Sequence, residues 1–175
     1  MKPIRFSSSA ALIVAATLLA PAAIAQTSKP AKPATKKAPS QPLPPIYDTD
    51  VLGAAVMDHS LQVAAQVNRR LFVNFGTNDC KACRSVNKAI HDPSFYEFFV
   101  AQFVPVFIDA DPKGKSAAII ERFELAGVKL PAVLIFDPKG RLVETAKSGE
   151  LAAAAAKGPG DVQAWIAARF VKPEE

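Results

Sequence analysis

The sequence predicts an α/β domain in three layers, a central mixed sheet of four to five strands with helices on both faces. Short runs rich in Val, Ile, Leu and Phe alternate with longer segments whose apolar residues recur every three or four positions. Those are the two periods that separate strand from helix. Strands separated by helices imply parallel neighbours, whereas the last two strand-like runs are joined by a turn alone and add an antiparallel edge. About 130 residues follow a proline-rich stretch, a comfortable size for one domain.

Taken in chain order, residues 1–25 read as a secretory signal. Lys2 and Arg5 precede a run of small and apolar residues at 10–20, and Ala23-Ile24-Ala25 supplies a small-x-small cleavage pattern. Pro21 interrupts the run short of the ~20 apolar residues that a spanning helix needs. Cleavage before Gln26 is therefore expected, with no stable membrane insertion afterwards. So short and Ala-rich a signal points to a bacterial periplasm, where disulfides persist. Residues 26–46 form a Pro/Ala/Lys-rich linker with prolines at 30, 33, 39, 42, 44 and 45. Such a segment buries too little apolar area to offset its ordering entropy and should be a semi-extended spacer. The folded domain then spans 47–175.

Within it, Asp50 is placed to cap a first helix in which Val51, Leu52, Ala55, Val56, Leu61, Ala64 and Ala65 recur at helical spacing. Residues 71–75 form a strand ended by Gly76. A helix at 80–90 follows, with Asn78 or Asp79 near its start. Asp92-Pro93-Ser94 opens a third helix through Val100. Residues 103–108 make a strand, 109–114 a turn, and 116–126 a helix closed by Gly127. The strand at 132–136 passes through Asp137-Pro138-Lys139-Gly140 into its hairpin partner at 141–145. The alanine-rich residues 151–156 read as a helical or loop extension, and 161–171 as a final helix around Trp165, Ile166 and Phe170.

The net charge of +5 is carried by the tail. All 16 acidic residues lie from Asp48 onward, whereas Lys2, Arg5, Lys29, Lys32, Lys36 and Lys37 precede it. The folded part is near neutral and carries no clustered Lys and Arg among aromatics, which argues against nucleic acid as a partner.

The chemistry lies in the only two cysteines, Cys80 and Cys83. Positions i and i+3 share one helix face, so the two sulfurs can meet within a turn. The first sits at a helix start, where free N–H groups and the macrodipole favour an anion and so a reactive thiolate. Cys83, one turn further in, is placed to resolve a mixed disulfide. Two other readings compete. A structural zinc site takes four ligands, and His59 and His91 have no partner at ligand spacing, so no metal and no cofactor are expected. A purely structural disulfide between i and i+3 closes too short a loop to restrain the unfolded chain much.

Residues 72–83 (FVNFGTNDCKAC) resemble the active-site region of the thioredoxin superfamily, a resemblance that continues through the strand at 103–109 and through GVKLPAVLIF at 127–136. It extends to DPKGRLV at 137–143 and Gly149, covering roughly residues 50–172. The resemblance implies the thioredoxin-like fold and thiol–disulfide exchange with protein thiols and disulfides, fed by an unidentified redox partner. It also implies a cis bond before Pro131, with Leu130 and Pro131 binding substrate by strand addition.

The departures concern the supporting residues. Asp79 stands where thioredoxins have Trp, and Lys81-Ala82 stands where they have Gly-Pro. Asn74 replaces the usual buried acid, and Pro105 the lysine that pairs with it. Asp79 opposes a Cys80 thiolate and Lys81 favours it. A slight lean to a reductase or relay follows from the room for only one helix between the strands at 103 and 132. The alternative is a non-catalytic module that holds a partner protein or metal at the cysteine face. A peroxidase, with Thr77 before the reactive cysteine, is a more distant third.

Overall fold

The computed structural model describes residues 43–170. The expected secretory signal, most of the expected linker and the last residues of the chain lie outside the described residues. β1 (Arg70–Gly76) is the central strand, buried along nearly its whole length. It runs parallel to β2 (Phe103–Asp109) and antiparallel to β3 (Ala132–Phe136), which pairs in turn with β4 (Leu142–Ala146) in the order β2-β1-β3-β4. Pro105 lies in an edge strand, the position in a sheet where proline is tolerated.

Among the described residues the sheet has four strands, and one expectation about it fails. β3 was expected to be a parallel neighbour and is antiparallel to β1. The helix between β2 and β3, α4 (Ala117–Arg122), has only six residues. β3 enters at the end of the sheet where β2 leaves, since β2 runs parallel and β3 antiparallel to β1.

Helices cover both faces. α1 (Gly53–Gln66) and α4 pack on the side of Leu71, Val73 and Phe75; α2 (Lys81–Ile90), α3 (Pro93–Gln102), α5 (Glu150–Lys157) and α6 (Pro159–Phe170) pack on the side of Phe72. The alanine-rich stretch is thus helical. The start of α1 moves from expectation. Leu52 is the cap residue, Asp50 does not cap, and Val51 and Leu52 are exposed. Gly53 sets the entry point, because a Cβ there would lie 2.6 Å from Ser116 Oγ and 2.8 Å from Ile108 Cγ2. α4 ends four residues earlier than expected, and Glu124 just beyond it takes a positive φ.

Candidate functional site

Alternation along β1 decides what lies beneath α2. Leu71, Val73 and Phe75 face α1, so Phe72, Asn74 and Gly76 face the other side. Gly76 ends the strand with no side chain. The chain turns through Thr77, Asn78 and Asp79 and enters α2 at Lys81.

The cap of α2 is Cys80 itself, and Asn78 and Asp79, expected near the helix start, precede it in the turn. Its Sγ accepts the Cys83 N–H at 3.1 Å. Asn78 is otherwise engaged: its Oδ1 accepts the N–H groups of Ile46 and Tyr47 at 2.8 and 3.0 Å, and its Nδ2 donates to the Tyr47 carbonyl at 2.8 Å. Arg84 donates from Nε to the Asn78 carbonyl at 3.0 Å and from Nη1 to the Pro44 carbonyl at 3.1 Å. Pro44 to Tyr47, read from the sequence as the end of a spacer and the first domain residue, are thus bound to the cysteine-bearing loop.

Cys80 and Cys83 are joined in a disulfide, with their Cα atoms 5.2 Å apart. Cys80 is partly exposed and Cys83 is fully buried. Lys81 is exposed on the first turn of α2. Asp79 is exposed beside Cys80, and the hydrogen bond that Thr77 Oγ1 donates to it at 2.6 Å holds its carboxyl below the usual range. An anion therefore stands one residue before Cys80 at neutral pH, and the Thr77 hydroxyl is committed to it.

The Leu130–Pro131 peptide is cis, with Leu130 partly exposed and Pro131 buried. Leu130 shares an open cleft of about 590 Å³ with Thr49, Thr77, Asn78, Asp79 and Asp109. The fold thus brings Asp79 and Leu130 to one cleft at the cysteine loop. Lys81 lies outside its lining, and Asn74 lies below the surface. Burial raises the Asp109 carboxyl above its ordinary range. Among the described residues no group of three or more His, Cys, Asp or Glu side chains is arranged to hold a metal ion.

Sequence reasoning missed Tyr47. Its side chain is buried, its Oη donates to Asn74 Oδ1 at 3.3 Å, and its ring meets Phe107 edge-on at 6.1 Å. A Cβ on Gly76 would lie 2.3 Å from Tyr47 Oη and 2.8 Å from Cys83 Sγ, so the hydroxyl and the sulfur share the space that glycine leaves open. Burial, reinforced by the Asp109 charge, pushes the phenol well above its ordinary value. The signal that could have found it is an aromatic residue closing a proline-rich stretch; nothing in the spacing connects it to Cys83.

Fold and site together define a thioredoxin-like domain with a CxxC disulfide at the start of a helix. Residues 54–138 match the family model described as thioredoxin-like. Among solved structures, a disulphide isomerase from Xylella fastidiosa Temecula1 superposes with a TM-score of 0.66 and 21% identity, over 72% of this chain and 97% of that one. A thioredoxin from Thermus thermophilus is 19% identical over 57% of this chain and 81% of that one, with a TM-score of 0.43. No curated protein sequence matches this chain.

Proposed function

We propose that this protein is a periplasmic thiol–disulfide oxidoreductase that exchanges its Cys80–Cys83 disulfide or dithiol with protein substrates, acting as a reductase or relay. The observation that carries this reading is the asymmetry of the pair. Cys80 is reachable at the cap of α2, while Cys83 is fully buried behind it. In the reducing direction, the Cys80 thiolate attacks one sulfur of a target disulfide. The first target thiolate leaves and takes a proton from water, and a Cys80–target mixed disulfide remains. Cys83 then loses its proton to water, and its thiolate attacks Cys80 Sγ. The Cys80–target bond breaks, the second target thiolate leaves, and two electrons have passed from the dithiol to the target.

Leu130, beside the cysteine loop in the cleft, supplies backbone groups for an extended target segment, with Pro131 behind it. The connection between β2 and β3, whose one helix has six residues, supports the reductase lean over a dedicated oxidase with a large helical insertion. The pattern at residues 1–25 supports export to the periplasm. Among the described residues no helix is long and apolar enough to cross a membrane.

Equilibration in glutathione buffers tests the reading. A midpoint near the thioredoxin end, about −270 mV, fits the reductase; one near the oxidising end, about −120 mV, reverses the direction. Cys80→Ser should abolish exchange, and Cys83→Ser should accumulate the mixed disulfide, visible by mass under non-reducing conditions. A second reading, a binding module without exchange, is favoured by Asn74 and Pro105 in place of the ionisable pair of the resemblance. Its signature is a pair that never equilibrates with glutathione.

A further inference from the structure

Asn74 bears an amide, which neither gives up nor takes a proton near neutral pH. The space under Cys83 nonetheless has polar contents. Tyr47 Oη is buried there against Gly76, and Asn74 Nδ2 is buried with no hydrogen-bond partner among the described residues. A buried polar atom without a partner calls for an explanation, since it costs about 1–3 kcal/mol. The Tyr47–Asn74 bond is also loose. At 3.3 Å it exceeds the ordinary O–H···O range, so a charge-assisted bond from the same hydroxyl to a sulfur anion would be the stronger of the two.

We propose that Tyr47 is the polar partner of Cys83: in the reduced protein its hydroxyl turns from Asn74 to donate a hydrogen bond to the Cys83 sulfur, and so stabilises that thiolate during resolution. The proposal rests on the exchange reading above and deepens it, because it assigns the environment of the resolving cysteine to the segment that precedes α1. The hydroxyl and the sulfur already border one space, the one that the missing side chain of Gly76 leaves open. The ring is held by Phe107, and the backbone of Tyr47 is held on both sides by Asn78.

The role is that of a donor and not of a base. Burial and the Asp109 charge keep the phenol protonated, so it takes no proton from Cys83. That proton leaves to water, and the phenol then supports the sulfur anion that remains. A hydrogen bond to the charged form lowers the pKa of the thiol. It stabilises the reduced protein relative to the disulfide, and so raises the reduction potential. The titratable and charged groups on the elements around this space are Asp48 and Asp50 before α1, Arg70 on β1, Asp79, Cys80, Lys81, Arg84, Lys88 and His91 on the cysteine loop and α2, and Asp109 at the end of β2. All of them are retained in the variants below, except Cys80 where it is replaced deliberately.

The test compares wild type with Tyr47→Phe, which keeps the ring and removes the hydroxyl. In glutathione buffers at a pH high enough to ionise Cys83 in the reduced protein, the variant should shift about tenfold toward the disulfide, which is about 30 mV more reducing. In a Cys80→Ser background, where Cys83 is the only thiol, its ionisation read by thiolate absorbance should move up by about one pH unit on adding Tyr47→Phe. Fluorotyrosine incorporated at position 47 is a stronger donor of the same shape and should move both readouts the opposite way. A folded Tyr47→Phe protein with wild-type potential and wild-type Cys83 ionisation overturns the proposal. Should Tyr47→Phe fail to fold, fluorotyrosine without effect overturns it equally. The Cys83 titration needs no exchange partner, so a wild type inert toward glutathione sinks the exchange reading while this measurement still judges the Tyr47 contact.

Discussion

The two faces of β1 are built from alternate residues of a single strand, and they differ in kind. Toward α1, Leu71, Val73 and Phe75 continue without a polar interruption into Val106, Ile108, Leu134 and Phe136. Toward α2, the same strand reads Phe72, Asn74, Gly76: large apolar, then amide, then no side chain. The apolar end of that face joins Val86, Ile90, Phe99 and Phe103, while its open end admits a sulfur and a phenol. One face holds the domain together by dry packing. The other gives up packing progressively, toward the end where the disulfide sits.

Substitutions on the two faces should therefore separate stability from redox behaviour. The largest effect belongs to the dry face. Phe75→Ala removes a fully buried ring and should cost about 3–5 kcal/mol in urea unfolding. Because Phe75 points away from α2, the glutathione midpoint of the folded fraction should stay at the wild-type value. A shifted midpoint would break the comparison.

Gly76→Ala should do both kinds of damage. Its methyl group would overlap Tyr47 Oη and Cys83 Sγ, and overpacking of this kind costs about 1–3 kcal/mol. The same variant should also change the midpoint, because the two groups it displaces are those around the reacting sulfur. Unfolding curves and glutathione titrations on one preparation check both.

Asn74→Asp sharpens the comparison through pH. Asn74 is fully buried, so a carboxyl in its place would have a folded-state pKa above its unfolded value. The sign follows from proton counting. Above the unfolded pKa the folded variant binds the extra proton, so its stability falls as pH rises until the folded pKa is passed. The variant should lose more stability relative to wild type at pH 8 than at pH 5, as read by paired urea curves. An equal loss at both values would mean that the site is open to water.

The smallest effects belong to the rim. Asp79→Asn removes an anion beside Cys80 and should shift the midpoint in the oxidising direction; Lys81→Ala removes a cation and should shift it the reducing way. Both side chains are exposed, so the shifts should be small and should shrink as salt is added.

Legibility in the sequence followed how local the physics was. The cysteine pair at the head of a helix, the strands at 71–75, 103–108 and 132–136, and the proline before β3 all follow from short-range spacing and from a resemblance carried by contiguous residues. The start of α1 at Gly53 was less legible, because the decisive contact is with Ser116, more than sixty residues away. The Cys80 cap was missed for a different reason. Ser, Thr, Asp and Asn are the usual caps, and Asn78 and Asp79 had been drawn off to other partners.

The sequence by itself determined the α/β class, the positions of nearly every element and the pair on which the chemistry turns. Periodicity and spacing are properties of the chain alone. Only the tertiary structure decided the antiparallel entry of β3, the meeting of Leu130 and Asp79 in one cleft, and the burial of Tyr47 beneath Cys83. Each of these depends on where the chain returns in space. β3 enters the sheet at the end where β2 leaves, and an asparagine and an arginine in the cysteine loop and helix draw in the segment before α1. The pocket that results has walls nearly thirty residues apart in sequence, a separation over which no local pattern carries information.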